Sequence, residues 1–194
     1  MTILVTGATG FIGKKVVLQL AKRNLNIVAA DLDLGKNKDK LIKEYQNNNH
    51  DKKKLIFEKL DIIQQKDIDS LFNKYSFDAI VHLAYGVGMM CVNNPVLASK
   101  INIVGTASIF EKLIEKKIKR LVFVSSETVY GANQSFYGNR AVNENDFCGI
   151  DQHHFTYGVM KSLNEFMAEK YIKKYNFRIA YTRPSVVFGY GRQN

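Results

Sequence analysis

Tyr157 and Lys161 stand four residues apart in a stretch with helical patterning, 156–175. That spacing puts both side chains on one face of a helix. A free phenol has a pKa of about 10 and is a poor base at neutral pH. A nearby ammonium favours the phenolate and lowers that value. Such a pair can take a proton from a substrate hydroxyl while hydride leaves the same carbon. A Tyr and a Lys at this spacing are common by chance, so the pair needs company. The run Ser125-Ser126-Glu127-Thr128-Val129-Tyr130-Gly131 supplies it, directly after an apolar strand candidate. In open α/β sheets, ligands bind outside the carboxyl ends of the strands. The Ser126 hydroxyl would there hydrogen-bond the oxygen that Tyr157 deprotonates.

A hydride needs an acceptor, and the N-terminus points to one. Thr6-Gly7-Ala8-Thr9-Gly10-Phe11-Ile12-Gly13 follows the first strand candidate and opens the first helix candidate. In that context the glycines read as a dinucleotide fingerprint. Gly7 permits the tight turn, Gly10 lets the pyrophosphate approach, and Gly13 allows helix to pack on strand. The helix N-terminus offers N–H groups and the positive end of its dipole to phosphate. Asp31 ends the second strand, 18 residues beyond Gly13. A carboxylate there accepts both hydroxyls of the adenosine ribose and repels a 2′-phosphate, which favours NAD over NADP. Lys36 and Lys38 stand close by, so NADP stays open.

These residues need a scaffold, and the hydrophobic pattern describes one. Strands are expected at 2–6, 26–30, 54–59, 79–83, 120–125 and 177–182. Helices are expected at 11–23, 37–46, 65–75, 95–117 and 156–175. Uniformly apolar strands alternating with amphipathic helices imply an α/β fold, a Rossmann-type doubly wound parallel sheet flanked by helices on both faces. One domain, 1–194, is expected. The stretch 131–151 is rich in Asn, Gly and polar residues, and its length suggests a functional loop.

Composition narrows the partners. The formal net charge is +10. The lysines are dispersed over helical segments, as at Lys36–Lys43, Lys52–Lys54 and Lys112–Lys119, so solvated faces are expected and no nucleic-acid partner. Two cysteines, Cys91 and Cys148, lack metal-ligand spacing and fit a reducing compartment. His82 is expected to bond nearby backbone, and His153 and His154 to cap or face solvent; no metal is expected. No apolar stretch could span a bilayer and no secretory leader is visible, so a cytoplasmic location is expected.

Taken in order, the motifs resemble the extended short-chain dehydrogenase/reductase superfamily, and within it the NAD-dependent epimerase/dehydratase family acting on nucleotide sugars. They are Thr6 to Gly13, Asp31, Asp61-Ile62, His82-Leu83-Ala84, Asn102 with Gly105-Thr106, Ser125 to Gly131, Tyr157 to Lys161, and Arg183-Pro184 with Val187-Phe188-Gly189. The resemblance implies that Ser126, Tyr157 and Lys161 are catalytic and that Lys161 also holds the nicotinamide ribose. Phe11 and Ile12 would lie along the pyrophosphate, Asp61 and Ile62 would bracket the adenine, and Pro184 would abut the carboxamide. Leu83, Ala84 and Tyr85 would line the cofactor through backbone contacts. Asn102 would hold the loops near the nicotinamide.

The implied activity is NAD-dependent epimerisation of a nucleotide sugar, at C4 of a UDP-sugar. A non-catalytic dinucleotide-binding module, or an RNA-associated protein of this kind, is the alternative. Two departures stand out. Dehydratases carry an Asp-Glu pair after the catalytic hydroxyl, where this chain has Glu127 and Thr128. Tyr85 replaces a small residue common after His-Leu-Ala, and either shapes the substrate site or packs. Family members usually continue for another hundred or more residues that form a substrate lobe, so that lobe is expected to be absent or truncated here. In the relatives, helices equivalent to 95–117 and 156–175 pair between subunits, which implies a homodimer.

Overall fold

The computed structural model describes residues 1–48, 51, 54–131, 133–153, 155–190 and 192. Lys52, Lys53 and His154, named above, lie outside the described residues.

Six parallel strands form one sheet: β1 (Thr2–Thr6), β2 (Asn26–Asp31), β3 (Leu55–Lys59), β4 (Ala79–His82), β5 (Arg120–Val124) and β6 (Arg178–Thr182). Their spatial order is β3-β2-β1-β4-β5-β6, so the direction of winding reverses between β1 and β4. Side chains alternate across the sheet, as the period of a strand requires. Ile3, Val5, Ile27 and Ala29 bury one face, beneath α1 (Phe11–Ala21) and α2 (Lys36–Asn47). Leu4, Val28, Ile80, Leu121 and Phe123 bury the other, beneath α3 (Gln65–Lys74), α6 (Thr106–Glu115) and α7 (Thr156–Tyr175). This is the doubly wound Rossmann-type sheet expected from the alternation.

The long helix expected at 95–117 is instead segmented. A short α4 (Met90–Asn93) is followed by α5 (Pro95–Ser99), a π-helical turn (Lys100–Gly105) and then α6. Pro95 begins α5, with the Asn94 side chain accepting from the Leu97 amide at 3.1 Å. The wide turn has a tertiary cause. Asn102 is fully buried and bonded to Gly86, while a Cβ on Gly105 would lie 2.9 Å from the Ile62 side chain. One added residue in the turn lets both contacts form. The rod stops at Glu115, two residues early, and Lys117 turns to a positive φ of 56°.

The glycine loop shows why glycine is needed. Gly7 has φ 65°, and a Cβ there would meet the Ala84 amide nitrogen at 2.7 Å. Gly13 is the tightest point, because a Cβ would fall 2.0 Å from the Gly7 carbonyl oxygen. That neighbour is backbone and cannot swing away. Gly13→Ala is therefore expected to lower folding stability by about 1–3 kcal/mol through overpacking. Urea denaturation followed by circular dichroism checks this, and an unchanged midpoint would refute the packing argument.

Candidate functional site

A cleft of about 1100 Å³ opens at the carboxyl ends of the strands, where β1 and β4 diverge. Gly7, Gly10, Phe11, Ile12 and Gly13 form one wall. Leu83 and Tyr85 face them from the segment after β4. Ser126, Tyr157, Lys161 and Pro184 line the far end. Residues distant in sequence thus meet in one cavity.

The glycine wall suits a pyrophosphate. Gly10 precedes α1, no side chain caps that helix, and no acidic residue stands in its first turn. Its leading N–H groups therefore carry the positive end of the dipole into the cleft. Three buried side-chain oxygens, Ser125 Oγ, Thr128 Oγ1 and Asn164 Oδ1, have no hydrogen-bond partner, and all three residues line the cleft. Orphaned buried polar atoms are costly and call for a polar ligand. The cavity fits a dinucleotide in shape, charge and hydrogen-bonding demand.

Five of the expected cofactor residues stand just behind that lining. Asp31 Oδ2 accepts from the Thr9 amide at 2.9 Å and from the Thr9 hydroxyl at 2.8 Å. Its Oδ1 accepts from the Leu32 amide at 2.8 Å. A carboxylate has about four acceptor positions, so room remains for about one more donor rather than two. Asp61 Oδ1 accepts from the Ile63 amide at 3.1 Å, and the Ile62 side chain is buried in the core. Ala84 donates its amide to Thr6 Oγ1 at 3.3 Å. Asn102 accepts from the Gly86 amide at 2.7 Å and donates to the Gly86 carbonyl at 2.9 Å, pinning the loop after β4.

At the far end, Ser126 and Tyr157 line the cleft together, and Ser126 Oγ accepts from the Thr128 amide at 3.2 Å. Burial raises the Tyr157 pKa above its ordinary value, and the nearby Ser126 hydroxyl only partly opposes this. The sequence led us to expect a lowered phenol pKa, and the difference lies in where Lys161 points. Its ammonium donates to the Val124 carbonyl at 2.6 Å and sits 3.2 Å from the Tyr85 ring centroid, against 5.5 Å from that of Tyr157. Burial pushes the Lys161 pKa down to about 7.

His82 differs from expectation as well. It bonds no backbone; Nδ1 meets the Thr6 hydroxyl at 2.7 Å and Nε2 the Thr106 hydroxyl at 3.2 Å. His153 neither caps α7 nor faces water alone, since Nδ1 bonds the Thr128 carbonyl at 3.0 Å and Nε2 lies 3.4 Å from Cys148 Sγ. Both cysteines are free thiols. Among the described residues no cluster could hold a metal, and no helix is long and apolar enough to cross a membrane.

Several site residues escaped sequence reasoning. Asn164 donates to the Tyr85 hydroxyl at 3.3 Å and to the Asn102 carbonyl at 3.0 Å. It shares the α7 face with Tyr157 and Lys161, seven and three residues on, a spacing that could have revealed it. Arg183 forks onto Glu165 at 3.0 and 2.7 Å and also donates to the Tyr130 hydroxyl at 2.9 Å. This ties β6, α7 and the turn after Ser126 together; no short-range signal announces it.

Comparison with known proteins settles the family. The model of the NAD dependent epimerase/dehydratase family matches residues 3–194. The chain belongs to this family. Among curated epimerase/dehydratase relatives, it is 30% identical to Protein CapI of Staphylococcus aureus over 190 residues, covering 97% of this chain and 55% of that protein. It is 36% identical to UDP-glucose 4-epimerase 4 of Oryza sativa subsp. japonica over 134 residues, covering 68% and 36%. The solved UDP-glucose 4-epimerase of Thermus thermophilus in complex with NAD superposes with a TM-score of 0.76 at 24% identity, over 94% of this chain and 54% of that one. This family member thus spans about half the length of such relatives.

The buried lysine makes a prediction about stability. Its folded pKa of about 7 lies below the unfolded value of about 10.4. Between those values the unfolded chain binds more protons, so the cost of burying the charge is full below pH 7 and disappears as pH rises toward 10. Lys161→Met should therefore be more stable than the parent by a few kcal/mol at pH 6, with the gap closing between pH 7 and 10. Chemical denaturation across that range checks this, and a gap independent of pH would contradict it.

Proposed function

We propose that this chain is the NAD-binding portion of a nucleotide-sugar epimerase that works by transient hydride transfer at C4 of a UDP-sugar. The observation that carries the reading is that Ser126, Tyr157 and Lys161, from two separate segments, line the same end of the cleft, with Lys161 one helical turn beyond Tyr157. The names of the UDP-glucose 4-epimerase relatives support the choice of substrate class.

When bound, NAD supplies a hydride acceptor that later returns the hydride. The chain does the remaining work. Gly7 to Gly13 and the N-terminus of α1 hold the pyrophosphate. In this reading Asp31 would take a ribose hydroxyl, Asp61 and Ile62 would flank the adenine, and Pro184 would close on the nicotinamide end. Ser126 holds the sugar oxygen, and Tyr157 Oη receives its proton. Lys161, when protonated, would favour the phenolate as the proton moves. The sugar itself would be gripped by a further lobe, beyond the half of the fold this chain provides.

Assembly into a homodimer is part of the proposal. Val96 and Val104, on the α5–α6 rod, are 66% and 56% exposed, and Leu163 and Phe166 on α7 are 41% and 58% exposed. Apolar side chains grouped on neighbouring helices favour a partner of the same kind. Phe166→Glu should give a monomer where the parent is a dimer, read by sedimentation equilibrium at micromolar concentration. A parent that is already monomeric would remove this part of the proposal.

The chemistry is tested with Tyr157→Phe. NAD affinity by calorimetry should change less than about threefold, whereas interconversion of UDP-glucose and UDP-galactose should fall by about 10²–10⁴. Turnover at the parent rate in this variant would sink the assignment.

A further inference from the structure

Hydride transfer asks only backbone contacts of Tyr85, yet its ring is placed with more purpose. The Lys161 ammonium sits over the ring face, 3.2 Å from the centroid. The ring stands perpendicular to that of Tyr157, with centroids 5.7 Å apart and an interplanar angle of 89°. Asn164 on α7 donates to the Tyr85 hydroxyl at 3.3 Å, which fixes the ring from its far end. Cys91, Ala98 and Met160 pack beneath, together with Tyr157 itself. One ring therefore touches both members of the acid–base pair.

The charge of Lys161 needs such help. The ammonium is almost completely buried, and burial drives it toward the neutral form. Glu165, one turn along α7, is committed to Arg183 at 2.7 Å. One ammonium donor reaches the Val124 carbonyl. The negative face of an aromatic ring is a second, desolvated site for the cation. We propose that Tyr85 is a positioning residue, whose ring face holds Lys161 charged and aimed while its flank sets the distance from Lys161 to Tyr157. The proposal rests on the reading of Tyr157 and Lys161 as the acid–base pair.

The titratable groups around Lys161 leave it as the group that changes charge near neutrality. Tyr157 and Glu165 come from its own helix, Tyr85 and His82 from the β4 side, and Cys91 from α4. Burial keeps His82 neutral, with a pKa pushed down to about 3. Burial raises Cys91, Tyr85 and Tyr157 above their ordinary values.

The experiment is a pH titration of the Lys161 ε-methylene signals by ¹³C–¹H NMR, assigned by their loss in Lys161→Arg. In the parent at pH 6 these protons should lie clearly upfield of exposed lysines, because of the ring current of Tyr85. Tyr85→Phe should keep that shift and the titration midpoint. Tyr85→Leu should lose the shift and lower the midpoint by about half to one and a half pH units, the worth of a cation–π contact. Calorimetry should then show NAD affinity falling at lower pH in Tyr85→Leu than in Tyr85→Phe.

Parent signals at the exposed-lysine position would overturn the proposal, and they decide it even where Tyr85→Leu fails to fold. A midpoint unchanged in Tyr85→Leu, or lowered equally in Tyr85→Phe, would overturn it as well. So would NAD affinity with one pH dependence in both variants. The spectra need neither NAD nor sugar, so a failure of turnover alone would strike the functional reading and leave the ring–ammonium contact standing.

Discussion

The Thr6 hydroxyl accepts from the Ala84 amide at 3.3 Å and shares the Leu83 amide, at 3.2 Å, with the Thr6 carbonyl, at 3.1 Å. With the oxygen already engaged by amides, its proton is best assigned to His82 Nδ1, 2.7 Å away. That leaves Nε2 carrying the imidazole proton, donated to Thr106 Oγ1. The chain of three side chains is consistent only with a neutral histidine, in agreement with a pKa forced down to about 3 by burial. It fastens β1, β4 and α6 together at the one place where the winding of the sheet reverses. The glycine loop leaves β1 on one side of this knot, and the Leu83–Tyr85 segment leaves β4 on the other. A proton on Nδ1 would break the chain and let the two walls of the cleft drift apart.

Two cations beside the site, the partly buried Arg183 and the buried Lys161, are handled in opposite ways. Arg183 is paired with Glu165 through a forked contact, and those hydrogen bonds raise its pKa. It is locked in one charge state and serves as a strut between β6 and α7. Lys161 has no such carboxylate, and burial brings its pKa to about 7. A lysine so poised exchanges its proton readily, which suits a group that must answer the charge on a neighbouring phenol. Structural charge is neutralised, whereas working charge is left exposed to its environment.

The scaffold and the outline of the cleft could be read from spacing, because both depend on local rules. Apolar strands at regular intervals dictate a parallel sheet, and a glycine at each close approach, such as Gly13 against Gly7, leaves a mark in sequence. The segmented helix after Pro95 could not be read. Its π-helical turn answers to Asn102 and Gly105 meeting Gly86 and Ile62, partners 16 residues or more away. The direction in which Lys161 points was hidden for the same reason. Its neighbours Val124 and Tyr85 come from β5 and from the segment after β4, and helical spacing alone suggested Tyr157 instead. The partners of His82 lie 76 and 24 residues away, so only the assembled sheet reveals them.

Under the proposed function, the surroundings of Ser126 favour oxidation and return over elimination. Loss of water from a sugar needs an acid to protonate the departing hydroxyl and a base on the adjacent carbon. The residues after Ser126 cannot supply both. Glu127 is exposed, with its amide turned back to the Pro184 carbonyl at 3.1 Å. Thr128 offers a hydroxyl, which neither gains nor loses a proton near neutrality, and its oxygen is buried without a partner. Its carbonyl is spent on His153. Beside the exposed Glu127, which also lines the cleft, the proposed catalytic set is one phenol, one hydroxyl and one ammonium. That set can move a single proton and hold a single oxygen, which is what removal and replacement of hydride at one carbon demands.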